Sequence, residues 1–546
     1  MKIKKTFWNL LILFEIVLII KICISFFMEM PIIYSDESCV VLRAKHFIET
    51  FNIETCNELS KLKGKDPLPI YSILISPIYL FFSGFKAYYA ILILNSLLIS
   101  STVFPLYSIF KKYINDNKYI LISILLCVFI PEIVAYEKTL MTETLFMSSS
   151  IWLLFFYVKS LENNAHSSIY KILSIILSLI ITFTRPFGFI SFLAIIISEI
   201  LISKNRVKIG LVLFPLTLFI TAFAAYFYMG SSGTSYLTTK LNSLYDIQNW
   251  IFILKAIHYQ FNSLLIATYF IPVIIFLTNI KKLKKEKFFL ISFIILNLII
   301  SAQHIYGYYL NEKDPLLITR YINVSTSFII FYALILLKKQ KKFLASNYSF
   351  LIIIISLGAL LLFKDGPIKH SLNFSIISFY DPVTHYFNLD LIESKHILGI
   401  PFLLFSFMLI FLYITNKKRL IALILGTILI TQSTILYFNH INYTIVPHIV
   451  QAFSKEESNI TYLTDNTKNI ELDLVWQLIT VTDNRITPIF ISFSGDNPDQ
   501  YSKLDTDDFK HEDFYKSADY IITTHKLDLP LELTDPKEHY KVYKKW

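Results

Sequence analysis

The first 437 residues consist largely of long apolar runs separated by short polar and basic segments. Runs such as Tyr348–Phe363 and Leu420–Phe438 are almost continuous Ile, Leu and Phe and contain no charged residue. A helix needs about 20 apolar residues to cross a bilayer, and a lipid-surrounded helix shows no strand-like alternation. The pattern therefore predicts a mainly α-helical, polytopic membrane protein.

Thirteen of the runs are predicted to cross the membrane. The basic clusters between them lie in the cytoplasm under the positive-inside rule, as does the N-terminus. The odd number of spans then places the chain beyond residue 437 outside. The predicted spans are 7–27, 87–110, 119–136, 144–158, 169–184, 187–203, 208–228, 261–279, 288–302, 321–337, 348–363, 397–415 and 419–437. The basic clusters are Lys111–Lys112, Lys204–Lys208, Lys281–Lys287, Lys338–Lys342 and Lys417–Arg419.

One further apolar stretch, Leu68–Phe82, is predicted not to span. It holds only 15 residues, and Pro67, Pro69 and Pro77 lie in or beside it. Since a span needs about 20 residues, we interpret this stretch as interfacial or re-entrant. It then belongs to the outward segment 28–86.

The four cysteines divide into two pairs. Cys23 and Cys127 fall in apolar runs and are interpreted as packing residues. Cys39 and Cys56 share the outward segment 28–86 and can form a disulfide if that side is oxidising. Sequence alone leaves this bond open, because it does not show whether the two Cβ atoms meet.

The last hundred residues differ from the rest in being polar and acidic. Short β-type runs separated by turn-rich connections predict strands at Ile460–Leu463, Ile486–Ser492, Tyr520–Thr523 and Tyr540–Tyr543. A helical stretch such as Ile470–Ile479 between them makes a small α/β domain the expected fold. We therefore divide the chain into a transmembrane domain, 1–437, and an extracytoplasmic α/β domain, 438–546. A capping or acceptor-positioning role fits this second domain, because it has no Gly-rich phosphate loop.

Charge and hydropathy agree with a location in the plasma membrane. Charged residues make up 16% of the chain and the mean hydropathy is +0.56, whereas soluble domains carry about 25% charged residues. The net charge is +10, but Pro447–Trp546 carries 18 acids and 11 bases, which leaves +17 for the remainder. Because those bases lie in topology-setting clusters, nucleic-acid binding is an unnecessary hypothesis.

Three carboxylates lie where the predicted outward segments meet the membrane. Asp36 and Glu37 follow the first span and precede an amphipathic stretch, Cys39–Thr50, which predicts a helix lying on the membrane. Glu143 opens the fourth span, where the helix N-terminus stabilises an acid by about 0.3–1 kcal/mol. Solvated loop acids and a first-turn helix acid are the structural alternatives to a catalytic role.

Basic and aromatic residues gather on the same predicted side. Arg320 enters lipid depth, where an unpaired guanidinium costs about 2.5–3.5 kcal/mol, so it requires a partner such as a lipid phosphate or Glu143. Its planar fork suits phosphate, with snorkelling to head groups as the alternative. Lys65 and Lys138 are weaker phosphate candidates, and Arg185 is interpreted as structural. His304 and Tyr321 flank the same region.

Several short motifs resemble those of the C-type (GT-C) glycosyltransferases, in particular the protein O-mannosyltransferase and aminoarabinose transferase group. Each motif is weak alone, but their order and sidedness agree with the predicted topology. The resemblance covers about residues 1–340. Two departures are the proline spacing Pro67-x-Pro69 and a Glu, not the usual Asp, at position 143. The motifs are Tyr34-Ser35-Asp36-Glu37, Lys65-Asp66-Pro67-Leu68-Pro69-Ile70-Tyr71, the second outward acid Glu143, Thr184-Arg185-Pro186-Phe187-Gly188 and Arg320-Tyr321.

The resemblance implies transfer of a sugar from a polyprenyl-phosphate donor to an extracytoplasmic acceptor: a protein, a lipid or a surface glycan. It makes Asp36 the base, with Glu37 and Glu143 as orienting acids. It makes Arg320, with Lys65 or Lys138, the cation on the donor phosphate, and His304, Tyr321 and Tyr71 substrate contacts. A divalent cation bridging the acids would lack His or Cys ligands. A transporter or flippase of lipid-linked saccharides is the alternative, against which the one-sided polar residues count.

Overall fold

We analysed a computed structural model of the chain. It describes residues 2–26, 35–53, 69–162, 165–203, parts of 253–268, 271–312 and 322–339, together with strand segments between 459 and 544. The helices among these residues are α1 Lys2–Phe26, α2 Ser35–Thr50, α3 Ile70–Ile75, α4 Gly84–Ser101, α5 Val103–Tyr113, α6 Asn117–Val128, α7 Pro131–Glu137, α8 Glu143–Ser160, α9 Ser167–Thr184, α10 Phe189–Ile202, α11 Ile271–Asn279, α12 Glu286–Glu312 and α13 Asn323–Lys339. Short 3₁₀ helices occupy Ser76–Leu80, Pro186–Gly188 and Ile280–Lys282.

Three helical stretches in the described part of the chain are long and apolar enough to cross a bilayer. They are Phe7–Phe26, Gly84–Tyr113 and Ser167–Thr184. This result confirms a mostly helical protein with membrane-spanning helices. The count of thirteen spans stays a prediction, because several of the predicted spans lie outside the described residues.

The predicted span 119–136 is two helices, not one. Helix α6 ends at Val128, and α7 begins at Pro131 after a break of two residues. Proline lacks the N–H that would continue a helix and disfavours helical backbone in the residue before it. The apolar pattern concealed this break, although Pro131 was visible in the sequence.

The stretch around Leu68–Phe82 forms short helices. Helix α3 and the 3₁₀ helix Ser76–Leu80 together hold 11 residues, Ile70–Leu80. At 1.5–2.0 Å per residue they reach roughly 16–22 Å, less than the ~30 Å hydrocarbon core. This length agrees with the prediction that the stretch does not span.

Two compact units emerge from the contacts within the chain. The first comprises Met1–Ile19, Leu97–Tyr136 and Glu143–Asn439. In its described part, α8 packs against α9, α9 against α10, and α10 against α12, while α13 contacts α5, α6, α8, α11 and α12. Aromatic side chains fill these contacts; for example, the Phe110 and Phe331 rings lie 4.8 Å apart, edge to face.

The second unit comprises Ile20–Ser96, Glu137–Thr142 and His440–Trp546. Its helix α2 packs against α3 and the 3₁₀ helix that follows. Val40, Val41, Ala44 and Phe47 are the residues predicted on or near the apolar side of α2; the first three are fully buried and Phe47 is half-buried. The apolar side of this helix therefore contacts the protein itself.

Seven short strands lie in the described part of the C-terminal segment. Five form a sheet in the order β2-β1-β4-β7-β6, with β1 parallel to both β2 and β4, and β7 antiparallel to both β4 and β6. All four predicted strands are present. The helices expected between them lie outside the described residues, so the α/β domain stays a prediction. The strands are β1 Asn459–Asp465, β2 Arg485–Ile491, β3 Lys503–Leu504, β4 Tyr520–Thr523, β5 Lys526–Leu527, β6 Leu531–Thr534 and β7 Lys541–Lys544.

Candidate functional site

A buried acid and a buried arginine meet at one end of the first unit. Glu143 is the first residue of α8, and Arg185 directly follows α9 in extended backbone. Because α8 and α9 pack side by side with opposite chain directions, the start of one lies beside the end of the other. Arg185 Nη1 lies 3.0 Å from Glu143 Oε1, and the two side chains are 9% and 1% exposed. The guanidinium also lies 5.7 Å from the centroid of the Phe146 ring.

The turn after Arg185 requires glycine at position 188. Pro186 begins a single 3₁₀ turn, and the Gly188 N–H donates to the Arg185 carbonyl at 2.8 Å. A Cβ on Gly188 would lie 2.1 Å from the Ile181 carbonyl oxygen, which is far inside van der Waals contact. Only glycine lets this 3₁₀ turn approach the last turn of α9 so closely. The 3₁₀ turn thereby holds Arg185 at the end of α9.

A second buried charge cluster lies entirely in the second unit. Glu137 accepts hydrogen bonds from Lys21, from Lys138 at 2.9 Å and from Ser96 at 2.7 Å. The Lys138 ammonium also donates to the Lys21 carbonyl at 2.9 Å and to Ser25 Oγ at 2.7 Å. All of these residues are at most 3% exposed. Burial holds the pKa of Lys138 below its ordinary value, against the opposing charge of Glu137.

Two polar residues connect this cluster to neighbouring backbone. Asn95 donates to the Glu137 carbonyl at 3.3 Å and to the Thr139 carbonyl at 2.9 Å. The Tyr71 hydroxyl donates to Asn95 Oδ1 at 2.8 Å. These bonds satisfy buried backbone carbonyls in the segment that follows α7, so the segment has a defined conformation without regular secondary structure.

The opposite ends of the first unit's helices carry basic residues. Lys112 at the end of α5 lies 3.7 Å from Glu286 at the start of α12, and Lys338 near the end of α13 binds Asp116 at 2.9 Å. Helix α8, which begins at Glu143, has 18 residues and is therefore about 27 Å long, close to the thickness of a bilayer core. Three of the predicted cytoplasmic clusters thus meet at helix ends remote from Glu143.

Comparison with solved structures identifies the fold. ArnT from Cupriavidus metallidurans in the apo state matches with a TM-score of 0.52 and 12% identity over 99% of this chain and 98% of that chain. The same protein bound to undecaprenyl phosphate matches with a TM-score of 0.53 and 12% identity over 98% and 97%. The archaeal oligosaccharyltransferase AglB from Archaeoglobus fulgidus, at 10% identity and a TM-score of 0.44, covers 95% of this chain and 70% of that chain. No protein-family model and no curated protein sequence matches the chain.

This chain has the fold of a GT-C glycosyltransferase. The likeness extends over almost the whole of both chains. The GT-C resemblance inferred from short motifs is therefore confirmed at the level of the fold.

Apart from Glu143, the structure describes the side chains of two predicted site residues, Tyr71 and Lys138. Tyr71 is fully buried and bonded to Asn95, and Lys138 is bonded to Lys21, Ser25 and Glu137. Glu143 pairs with Arg185. The sequence offered Glu143 as one possible partner of Arg320, and that pairing stays a prediction because Arg320 lies outside the described residues. The predicted roles of Tyr71 and Lys138 in substrate and phosphate binding stay predictions.

The structure describes only the backbone of three other predicted residues. Asp36 and Glu37 lie in the first turn of α2, where the helix dipole favours carboxylates. His304 lies within α12, which continues to Glu312 beyond the predicted end of that span at residue 302. Arg320, Tyr321 and Lys65 lie outside the described residues.

Sequence reasoning missed the Glu137 cluster, although one signal for it was readable. Lys21 lies inside the otherwise apolar first span, and an ionisable residue at that depth requires a partner. Glu137 lies between the predicted spans 119–136 and 144–158, close to Glu143, but received no role. Arg185 was correctly assigned to a connection between helices, but its pairing with Glu143 was not foreseen.

Two further predictions concern the cysteines and possible metal ligands. Cys39 is disulfide-bonded, while Cys23 and Cys127 are free thiols. Cys56, the expected partner of Cys39, lies outside the described residues. Among the residues the structure describes, no group of three His, Cys, Asp or Glu side chains could hold a metal ion.

Proposed function

We propose that this chain transfers a sugar from a polyprenyl-phosphate donor to an acceptor outside the cytoplasm. The observation that carries the proposal is the buried Glu143–Arg185 pair at the helix ends remote from the basic clusters. A fixed acid and a fixed cation at one membrane boundary suit a donor whose reacting carbon lies next to a lipid phosphate. We propose that this boundary is the outer one, with the C-terminal residues 438–546 forming a domain on the same side.

The fold supports the choice of donor by analogy. ArnT has been solved with undecaprenyl phosphate bound, and its fold matches this chain from end to end. A shared fold hosts many functions, so the donor class follows from the fold only in combination with the site. The conserved chemistry to be expected is recognition of a phosphate attached to a long isoprenoid.

The proposed reaction is a single inverting displacement. Asp36 removes the proton from an acceptor hydroxyl, and the acceptor oxygen attacks the anomeric carbon of the donor sugar. The bond between that carbon and the phosphate oxygen breaks on the opposite face, and polyprenyl phosphate leaves with the bonding electrons. Because the attack and departure occur on opposite faces, the anomeric configuration inverts.

Further residues are assigned by role. Arg320, with Lys65, neutralises the phosphate as negative charge develops on it. Lys138, the other candidate from the sequence, already donates to Lys21, Ser25 and Glu137. Glu37 and Glu143 orient the sugar or acceptor, and Arg185 fixes the Glu143 carboxylate in one direction. His304, Tyr321 and Tyr71 contact the substrates.

The decisive experiment replaces the proposed base. Asp36→Asn keeps the size and polarity of the side chain but removes its basicity, so transfer should fall by about 10²–10⁴-fold with normal membrane insertion. Glu49→Gln is the matched control, because Glu49 is an exposed acid at the other end of the same helix. Transfer is measured with purified protein and a synthetic polyprenyl-phosphate sugar. An Asp36→Asn variant as active as Glu49→Gln would remove Asp36 from the mechanism.

A deletion strain distinguishes the enzyme from a transporter. Loss of a transferase should leave the carrier-linked sugar accumulated on the outer leaflet and one surface glycan without that sugar. Loss of a flippase would instead trap the carrier-linked sugar on the inner leaflet. Mass spectrometry of glycolipids and surface glycans, with periodate labelling of intact cells for sidedness, separates the two outcomes.

A further inference from the structure

A basic cavity lies in the first unit, at the ends of helices opposite to Glu143. It has a volume of about 550 Å³, within the range typical of small-molecule sites. The end of α5, the residues after α8 and the start of α12 form its walls. Its lining residues are Lys112, Leu161, Glu162, Lys284, Lys285, Glu286, Lys287 and Phe288.

One carboxylate in this cavity is buried and makes no hydrogen bond within the described part of the chain. The Glu286 side chain is 1% exposed, and among the described residues neither of its carboxylate oxygens has a hydrogen-bond partner. The nearest cation, Lys112 Nζ, lies 3.7 Å from Glu286 Oε2, which is too long for a hydrogen bond. A buried carboxylate gains most from two or three N–H donors, so Glu286 has the capacity to bind an ammonium group.

The second carboxylate of the cavity is already occupied. Glu162 accepts two bonds from Lys159, at 3.1 and 3.3 Å, and the pair is partly exposed. The two acids therefore differ in what they can still bind, although both line the same cavity. This difference provides a matched pair for experiment.

The lysines outnumber the acids by four to two. Lys284 and Lys285 form no ion pair with the described residues, and Lys287 lies 5.2 Å from the Phe288 ring centroid. An excess of ammonium groups around a cavity attracts an anion, and phosphate is the anion that lysine binds as a point charge. The cavity thus offers cations for a phosphate and one carboxylate for an amine.

We propose that this cavity binds the head group of a phospholipid that carries a phosphodiester and a primary ammonium, the phosphoethanolamine class. The phosphate lies among the lysines, and the ammonium donates to Glu286. Leu161 and Phe288 provide the apolar wall for the glycerol and the first acyl carbons. A lipid is the source because the lining lysines belong to clusters predicted to lie at the cytoplasmic membrane surface. The site is independent of the proposed transferase activity.

Lipid binding by the unmodified protein tests the proposal first. Native mass spectrometry of the full chain, titrated with lipids of identical acyl chains, should show phosphatidylethanolamine bound about tenfold more tightly than phosphatidylcholine. Stepwise N-methylation should weaken binding progressively, because each methyl group removes one N–H donor. Equal binding along this series, or tighter binding of phosphatidylglycerol, would overturn the proposal.

Two variants then assign the preference to Glu286. Glu286→Gln should lose the roughly tenfold preference, whereas Glu162→Gln should keep it, since Glu162 is bonded to Lys159. Equal losses in both variants would contradict the assignment. Soluble O-phosphoethanolamine provides the test of the source: protection against thermal unfolding equal to that by the lipid would show that the ligand is not a lipid.

Discussion

Glu137 and Glu143 are both buried acids, six positions apart in the chain, yet their partners differ in kind. Glu137 accepts from two ammonium groups and a hydroxyl, and the ammonium of Lys138 has four oxygens within hydrogen-bond distance. Glu143 pairs with the guanidinium of Arg185, which is 9% exposed and has five N–H donors. The first acid belongs to a network saturated by the protein itself. The second lies at helix termini, beside a guanidinium whose contacts among the described residues are Glu143 and the Phe146 ring.

The difference shows how to separate structural from functional charges in this protein. A buried acid whose partners are fully used contributes to folding, and its removal leaves uncompensated cations. An acid paired with a multidentate cation at the start of a helix has a fixed direction, as a group that orients a substrate requires. Glu137 thus belongs to the first kind and Glu143 to the second.

The largest effect on stability is expected from Glu137→Gln. The change leaves Lys21 and Lys138 buried without a counter-charge, so the free energy of unfolding should fall by about 3–5 kcal/mol. Thermal unfolding of the purified protein in detergent measures this loss. Glu49→Gln, an exposed acid of the same unit, should leave the melting temperature unchanged. If both variants melt alike, the network around Glu137 does not stabilise the fold.

Glu143→Gln should reduce sugar transfer strongly and stability only a little. The amide oxygen stays beside the Arg185 guanidinium, which is 9% exposed against 1% for Lys21 and 4% for Lys138. The change also leaves one cation without a counter-charge where Glu137→Gln leaves two, so the loss of stability should be smaller. Transfer should fall by about 10²-fold, because the charge that orients the substrate is gone. Glu199→Gln, which removes a similar ion pair with Lys171 at the far end of these helices, should leave transfer intact. Unchanged transfer in Glu143→Gln would contradict the comparison.

A more moderate effect is expected from Gly188→Ala. The added Cβ would lie 2.1 Å from the Ile181 carbonyl oxygen, so the turn must move, at a cost of about 1–3 kcal/mol. Because Arg185 begins this turn, transfer should fall together with the melting temperature. Ser191→Ala is the control, since the buried Ser191 hydroxyl has no hydrogen-bond partner among the residues that the structure describes. A Gly188→Ala variant with wild-type stability would show that the turn adapts without cost.

Much of this fold could be predicted from local patterns. Apolar runs marked the helices, β-type runs marked the strands Asn459–Asp465 and Arg485–Ile491, and the Thr184–Gly188 motif marked a helix connection. Glu143 was recognised because an acid at a helix start is a local feature. Each of these signals depends on residues close together in the sequence.

The pairings could not be predicted, because they depend on packing between distant segments. Lys21 and Glu137 are 116 positions apart, and only tertiary structure shows that their helices bring them together. Arg185 lies 42 positions from Glu143. A charge in an apolar run indicates that some partner exists, but several acids met that requirement equally well.

The smallest effect on stability is expected from Asp116, an exposed acid that pairs with Lys338 and contrasts with the buried Glu137 and Glu143. The Lys338 hydrogen bond holds the pKa of the Asp116 carboxyl below its ordinary value. A lowered pKa means that this contribution to stability is present above the ordinary pKa, near 3.8, and disappears as pH falls through the lowered value. Asp116→Asn keeps the side-chain cap on the Tyr119 N–H and removes only the charge, so its melting temperature should differ slightly from wild type at pH 7, and less at pH 3 or in high salt. A melting-temperature difference as large as that of Glu137→Gln would refute the distinction between exposed and saturated buried charges on which the comparison depends.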